Sequence, residues 1–205
     1  MPAGASTPPA NQARQAAFSA AAARYHVPVD VLMAVSYDET DWEAHTGQPS
    51  TTGAYGPMAL IDLSANTAKG DGVADVHTLT TAARLIGADP AVLQTDDAAN
   101  IQGGAALLAS DAGNPLPTTV NGWYDAVARY GGQDFANTVF ATIRAGAARH
   151  TDDGQNLAMA ADPGATASKP STSTQQPECP RSLSCTFVPA AYAQTDPSPL
   201  DYGNY

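Results

Sequence analysis

Basic residues are scarce: nine Lys and Arg stand against twenty Asp and Glu, giving the 205-residue chain a net charge of −11. Phosphate backbones are gripped by clustered Lys and Arg, and here these residues are scattered singly, which argues against a nucleic-acid partner. Long apolar runs are missing too. No stretch approaches the ~18 residues needed to span a bilayer. Met1 to Asn11 has neither the charged start nor the apolar core of a secretory leader, so export would need a leader that this chain does not carry. His26, His45, His77 and His150 are isolated, without paired spacing, and two cysteines alone are too few for a structural zinc site; no metal or cofactor is expected. Nothing suggests a nucleophilic Ser or Cys triad, a phosphate loop or a nucleotide site. Sustained two-residue alternation with β-branched enrichment is also absent, so the domain reads as essentially all-α.

What is present is helical periodicity, in order along the chain. Residues 1–10 are small, polar and proline-bearing, a flexible lead-in. From Asn11 the alanine-rich run through Phe18 to Tyr25 has high helix propensity. Val27-Pro28 breaks it, and Pro28 opens the next helix with Asp30 in its first turn. A polar loop, His45 to Thr52, leads to Gly53-Ala54-Tyr55-Gly56-Pro57-Met58-Ala59-Leu60, after which Ala59 to Ala68 is expected to start a short helix. Leu79 to Ile86 and Pro90 to Gln94 read as short helices split by Gly87. Asp96 or Asp97 caps a longer one carrying Asn100, Ile101, Leu107 and Leu108. Gly103 and Gly104 inside it cost stability, which implies close contact with a neighbour. Trp123, Val127 and Tyr130 form one apolar face, and Val139, Phe140 and Ile143 another in a helix expected over 135–148.

Within the second helix, Leu32, Val35 and Glu39 fall in one narrow arc. A carboxylate on an apolar stripe either finds a donor or raises its pKa and keeps its proton, and a carboxyl kept protonated beside a cleft acts as a general acid. The alternative is that Glu39 sits where the helix frays and reaches into water. Asp38 and Asp41 lie at the edge and far side of the stripe, where surface roles are expected. Glu43 lies past the helix end, and Asp62 is placed to cap a following helix.

From Thr151 the composition shifts. Seven of the 16 prolines lie between Pro163 and Pro199, and Ser171 to Gln176 is purely polar, so 151–178 reads as a linker that cannot offset its ordering entropy. The tail, 179–205, holds Cys179 and Cys185. Two cysteines this near can close a small disulfide loop, implying an oxidising compartment; inert reduced thiols are the other reading.

Four stretches occur in an order that resembles the lytic transglycosylase domain, the goose-type lysozyme relative that cuts the glycan strands of bacterial peptidoglycan. They are Leu32-Met33-Ala34-Val35 leading to Glu39-Thr40-Asp41-Trp42, the Gly53 to Leu60 loop, Asn100-Ile101 with Gly103-Gly104-Ala105-Ala106-Leu107-Leu108, and Ala126-Val127-Ala128-Arg129-Tyr130-Gly131-Gly132. The likeness spans residues 12–148, within a domain expected over 11–150. It implies a lysozyme-like helical fold, a catalytic Glu39, and a substrate-binding set of Thr40, Gly53, Tyr55, Met58, Asn100 and Tyr130. The tail is similar to the segment that precedes a zinc-dependent N-acetylmuramoyl-L-alanine amidase domain in multidomain actinobacterial wall enzymes. That likeness implies a secreted or wall-associated protein with an amidase domain following in the full-length chain.

The chemistry implied by the family needs only one carboxyl. Glycoside cleavage normally employs two, with substrate assistance as the exception. Glu39 would protonate the glycosidic oxygen between N-acetylmuramic acid and N-acetylglucosamine, the substrate's N-acetyl group would stabilise the anomeric carbon, and Glu39 would then take the C6 hydroxyl proton to close a 1,6-anhydro ring. Three positions depart from the family pattern. Ala59 replaces a substrate-contacting glutamine, Pro57 a leucine, and Gly131 an asparagine. A wall-binding module without turnover, or a structural spacer for an amidase, are therefore the rival expectations.

Overall fold

The computed structural model describes residues 8–62 and 77–167. Seven α-helices carry the fold among them: α1 (Ala13–Tyr25), α2 (Val29–Thr40), α3 (Thr78–Ile86), α4 (Pro90–Thr95), α5 (Asp97–Ala112), α6 (Tyr124–Gly131) and α7 (Gln133–Ala145). Their ends follow from local chemistry. The Asp96 carboxylate accepts the Ala99 amide at 2.9 Å to cap α5, and Asp89 accepts the Ala91 amide at 2.8 Å ahead of Pro90 in α4. Pro28 stands at the N-cap of α2.

Helix α5 is the hub, packing against α1, α3, α4 and α6. Its glycines make that approach possible: a Cβ on Gly103 would lie 2.8 Å from Leu93 and one on Gly104 2.5 Å from Met58. The expectation of close contact at this pair thus holds. Phe18, Leu32, Val35, Ile101, Leu108, Trp123, Val127, Val139, Phe140 and Ile143 form one core. Burial of such side chains, at about 25 cal/mol per Å² of apolar surface, is the principal term holding the helices together. No helix among the described residues is long and apolar enough to cross a membrane.

The fold is mostly helical, as the all-α expectation has it, with two short antiparallel ladders added. Strands β1 (Ala54–Tyr55) and β2 (Leu60–Ile61) pair within the glycine loop, where a helix from Ala59 is expected from sequence. Strands β3 (Ala147–His150) and β4 (Asn156–Met159) form a hairpin, so α7 ends at Ala145 and not Ala148. Each strand is too short to print an alternating pattern on the sequence. The linker expected from 151 also begins later. Leu157 and Met159 are buried, β4 packs on α1 and α2, and the Ala158 amide donates to Gln15 at 3.0 Å. Those apolar side chains and the ladder hold residues 151–159 to the domain. Residues 168–178 of that linker, the rest of the Ala59 to Ala68 segment beyond Asp62, and the tail with Cys179 and Cys185 lie outside the described residues.

Arg14 laces the first helix to the last hairpin. Its guanidinium, 2 % exposed, pairs with Asp97 of α5 at 2.6 Å and with Asp153 of the β3–β4 turn, and donates to the Trp42 carbonyl at 3.1 Å. Burial alone would weaken its hold on its proton, but the two carboxylates more than offset this and raise its pKa. Nothing in a helical wheel of α1 singles this residue out.

Candidate active site

The loop between β1 and β2 is fixed from beneath by three elements. Ser36 and Thr40, one turn apart on α2, both donate their hydroxyls to the Pro57 carbonyl, at 2.7 and 2.8 Å. Asn100 of α5, fully buried, accepts the Met58 amide and donates to the carbonyls of Tyr55 and Leu93, each at 2.9 Å. Tyr130 of α6 donates its hydroxyl to the Met58 carbonyl at 2.6 Å. Both backbone groups of Met58 are therefore held by side chains. Gly56 lies directly over the Asn100 amide with φ +67°, so any Cβ there would strike it and strain the backbone.

Above this loop opens a cleft of about 380 Å³, whose lining includes Glu39, Thr40, Ala59 and Tyr130. A second hollow of about 440 Å³ shares Glu39, Thr40 and His45 with the first and continues along Asp38, Asp41 and Glu43. Glu39 thus stands where the two meet. The buried run of α2, Val31 to Ser36, stops a turn short of it, and Glu39 is exposed rather than enclosed in the core as its place on the stripe suggests. The exposure is that of a group in a concavity, with a wet side and protein on the others. Loss of hydration on those sides, and then the neighbouring Asp38 charge, push its pKa up to about 7. No group among the described residues donates a hydrogen bond to it. A carboxyl in this state is half protonated near neutrality and can both give and take a proton.

The residues singled out in the sequence divide cleanly. Glu39, Thr40 and Tyr130 come together at the cleft. Thr40 spends its hydroxyl on Pro57 and Ser36, and Tyr130 on Met58, so both shape the wall. Asn100 and Met58 do not face the cleft: each is 0 % exposed, one as the clamp under the loop and the other as core packed against Gly104. Gly53 and Tyr55 do not line it either. Gly53 makes the turn into β1 at φ +82°, and the Tyr55 carbonyl is taken by Asn100.

Other residues belong here that the motifs do not name. His45, Ser50, Thr51, Thr52 and Thr78 line the opposite wall. The only sequence signal for them is the density of hydroxyls between the acid helix and the glycine loop. Thr78 accepts the Ile61 amide at 2.9 Å, which ties α3 to β2. Glu43 serves structure, holding Arg149 at 3.2 Å and the Asp152 amide at 3.1 Å. Asp62 accepts from His77 at 2.6 Å and from Thr80 at 3.4 Å.

Where the resembled family has asparagine, Gly131 leaves room for the Phe135 ring, which any Cβ at 131 would strike. Phe135 in turn stacks on Tyr130 with ring centroids 6.4 Å apart. The ring is an aromatic brace beside the cleft tyrosine. A scan against protein-family models finds no match to this chain, and no curated protein matches it.

Proposed function

We propose that this protein is a lytic transglycosylase with a lysozyme-like fold, cutting peptidoglycan between N-acetylmuramic acid and N-acetylglucosamine. The observation that carries the reading is the Glu39 carboxyl at the meeting of two hollows, with a pKa of about 7 and no hydrogen-bond donor of its own among the described residues. Such a group suits a reaction in which one side chain first gives and then takes a proton. Glu39 protonates the bridging oxygen, the substrate's N-acetyl group meets the positive charge at the anomeric carbon, and Glu39 then draws the proton from the C6 hydroxyl as the anhydro ring closes. The hydroxyls of Ser50, Thr51, Thr52 and Thr78 suit an uncharged, hydroxyl-rich ligand. Tyr130 and Asn100 act on the loop and through it on the cleft. A protein acting on this substrate would work at the bacterial cell wall.

Incubating purified wall with the wild type is expected to release anhydro-muropeptides, seen by mass analysis, and Glu39→Gln to abolish the release. Undiminished release by the variant overturns the assignment. One observation favours a second reading, a wall-binding module without turnover: Ala59 offers the cleft only a methyl group, at φ +48°. Co-sedimentation with insoluble peptidoglycan and no soluble product would select that reading.

A further inference from the structure

Three acids flank Glu39 at the end of α2 and just past it, and they are not alike. Arg149 of β3 reaches Asp41 at 3.8 Å and Glu43 at 3.2 Å, so two carry a compensating cation. Asp38 has none among the described residues. Its Oδ1 accepts the Thr142 hydroxyl of α7 at 2.9 Å, whereas its Oδ2 is buried with no donor among the described residues. Among the described residues, the other titratable groups that line the two hollows with Glu39 are Tyr37 of α2, Tyr130 from α6, whose hydroxyl donates to the Met58 carbonyl, and His45 from the turn after α2. Asp111 of α5 bears on Tyr130 from behind. Of the three flanking acids, Asp38 is thus the one with no adjacent cation among the described residues.

We propose that Asp38 is a positioning residue for the Glu39 proton: its uncompensated charge, held in place by Thr142, biases the Glu39 carboxyl toward its acid form. The inference rests on Glu39 being the acid of the reaction proposed above. Physically, a like charge on the neighbouring residue disfavours ionisation of both groups, and poor hydration of one of its oxygens keeps that charge from being screened. The direction of both titrations agrees. Glu39 is raised by burial and then by Asp38, and Asp38 is itself raised by burial, against the pull of the Thr142 hydroxyl, and by the Asp41 charge.

The test uses the full chain with ¹³C-labelled carboxyls, the Glu39 signal being assigned by its loss in Glu39→Gln. In Asp38→Asn the Glu39 midpoint is expected to fall by about one pH unit, and the pH at which glycan release drops by half to fall with it. Asp38→Ala removes the same charge without setting an amide against Thr142 and is read in the same way should the asparagine variant fail to fold. An unchanged Glu39 midpoint overturns the inference, as does an unmoved pH profile in a variant that still turns over. If the wild type releases no product at any pH, the transglycosylase reading falls, and the Glu39 midpoint alone decides whether Asp38 tunes it.

Discussion

Replacing Asn100 by alanine removes the clamp on which the cleft loop rests. The side chain is fully buried and makes three hydrogen bonds, to the Met58 amide and to the Tyr55 and Leu93 carbonyls. Each is worth about 1 kcal/mol net, and each buried group left without a partner costs about 1 to 3 kcal/mol before the chain relaxes. Partial relaxation of the loop brings the expected loss to about 3 to 5 kcal/mol, or roughly 10 °C in Tm for a domain of this size. Urea unfolding with an unchanged denaturant slope measures it. A loss below about 1 kcal/mol would mean that the three groups find other partners and that the loop is held by something else. A second arm sharpens the test. Gly56→Ala drives a methyl into the Asn100 amide and also strains a φ of +67°. In the Asn100→Ala background the collision is gone and only the strain, about 1 kcal/mol, remains. Equal costs in the two backgrounds would refute the packing described.

Glu39 titrates near 7 in the fold against 4.5 as its ordinary value, so between these limits the folded chain holds a proton that the unfolded chain has lost. Stability from this group falls as pH climbs from 4.5 to 7. The melting temperature of Glu39→Gln relative to wild type is therefore expected to rise across that window and level off above it; a pH-independent difference contradicts the shift. At the other end of the fold, Asp97→Asn with Asp153→Asn leaves the Arg14 guanidinium buried without a counter-charge and should cost about 3 to 5 kcal/mol in urea titrations. Arg14→Met, which leaves two partly exposed carboxylates and the Trp42 carbonyl without their donor but buries no unpaired charge, should cost less, and the reverse order would overturn the account of that cluster. Gly131→Asn is expected to lose about 2 kcal/mol through collision with Phe135, most of it recovered by adding Phe135→Ala. Failure of the second change to rescue the first would show that the glycine is needed for another reason.

Helix placement was legible because it depends on near neighbours. The alanine run of α1, the Pro-led α4 and the Asp96 cap of α5 each carry their signal within a few residues. Glu39, Thr40 and Tyr130, singled out in the sequence, line one hollow. Side-chain direction was not legible. Asn100 and Met58 sit in equally good motifs yet point into the core, because the packing of α5 under the loop, set by Gly103 and Gly104, decides which face is inward. The buried Arg14 and the β3–β4 hairpin were invisible for a different reason. Their partners lie far along the chain, Arg14 and Asp153 being 139 positions apart.

That separation bears on how the domain is made. As the chain emerges from a ribosome, α1 comes out before the other described helices, bearing a cation that the folded domain encloses. One of its two counter-ions is synthesised only after every described helix has appeared. Until then α1 cannot settle without leaving that cation partly unmatched, so its docking should be a late event, coupled to closure of the final hairpin. Maturation would then hang on a long-range contact of the kind that slows folding, and nascent chains halted before Asp153 should remain open to proteolysis around α1.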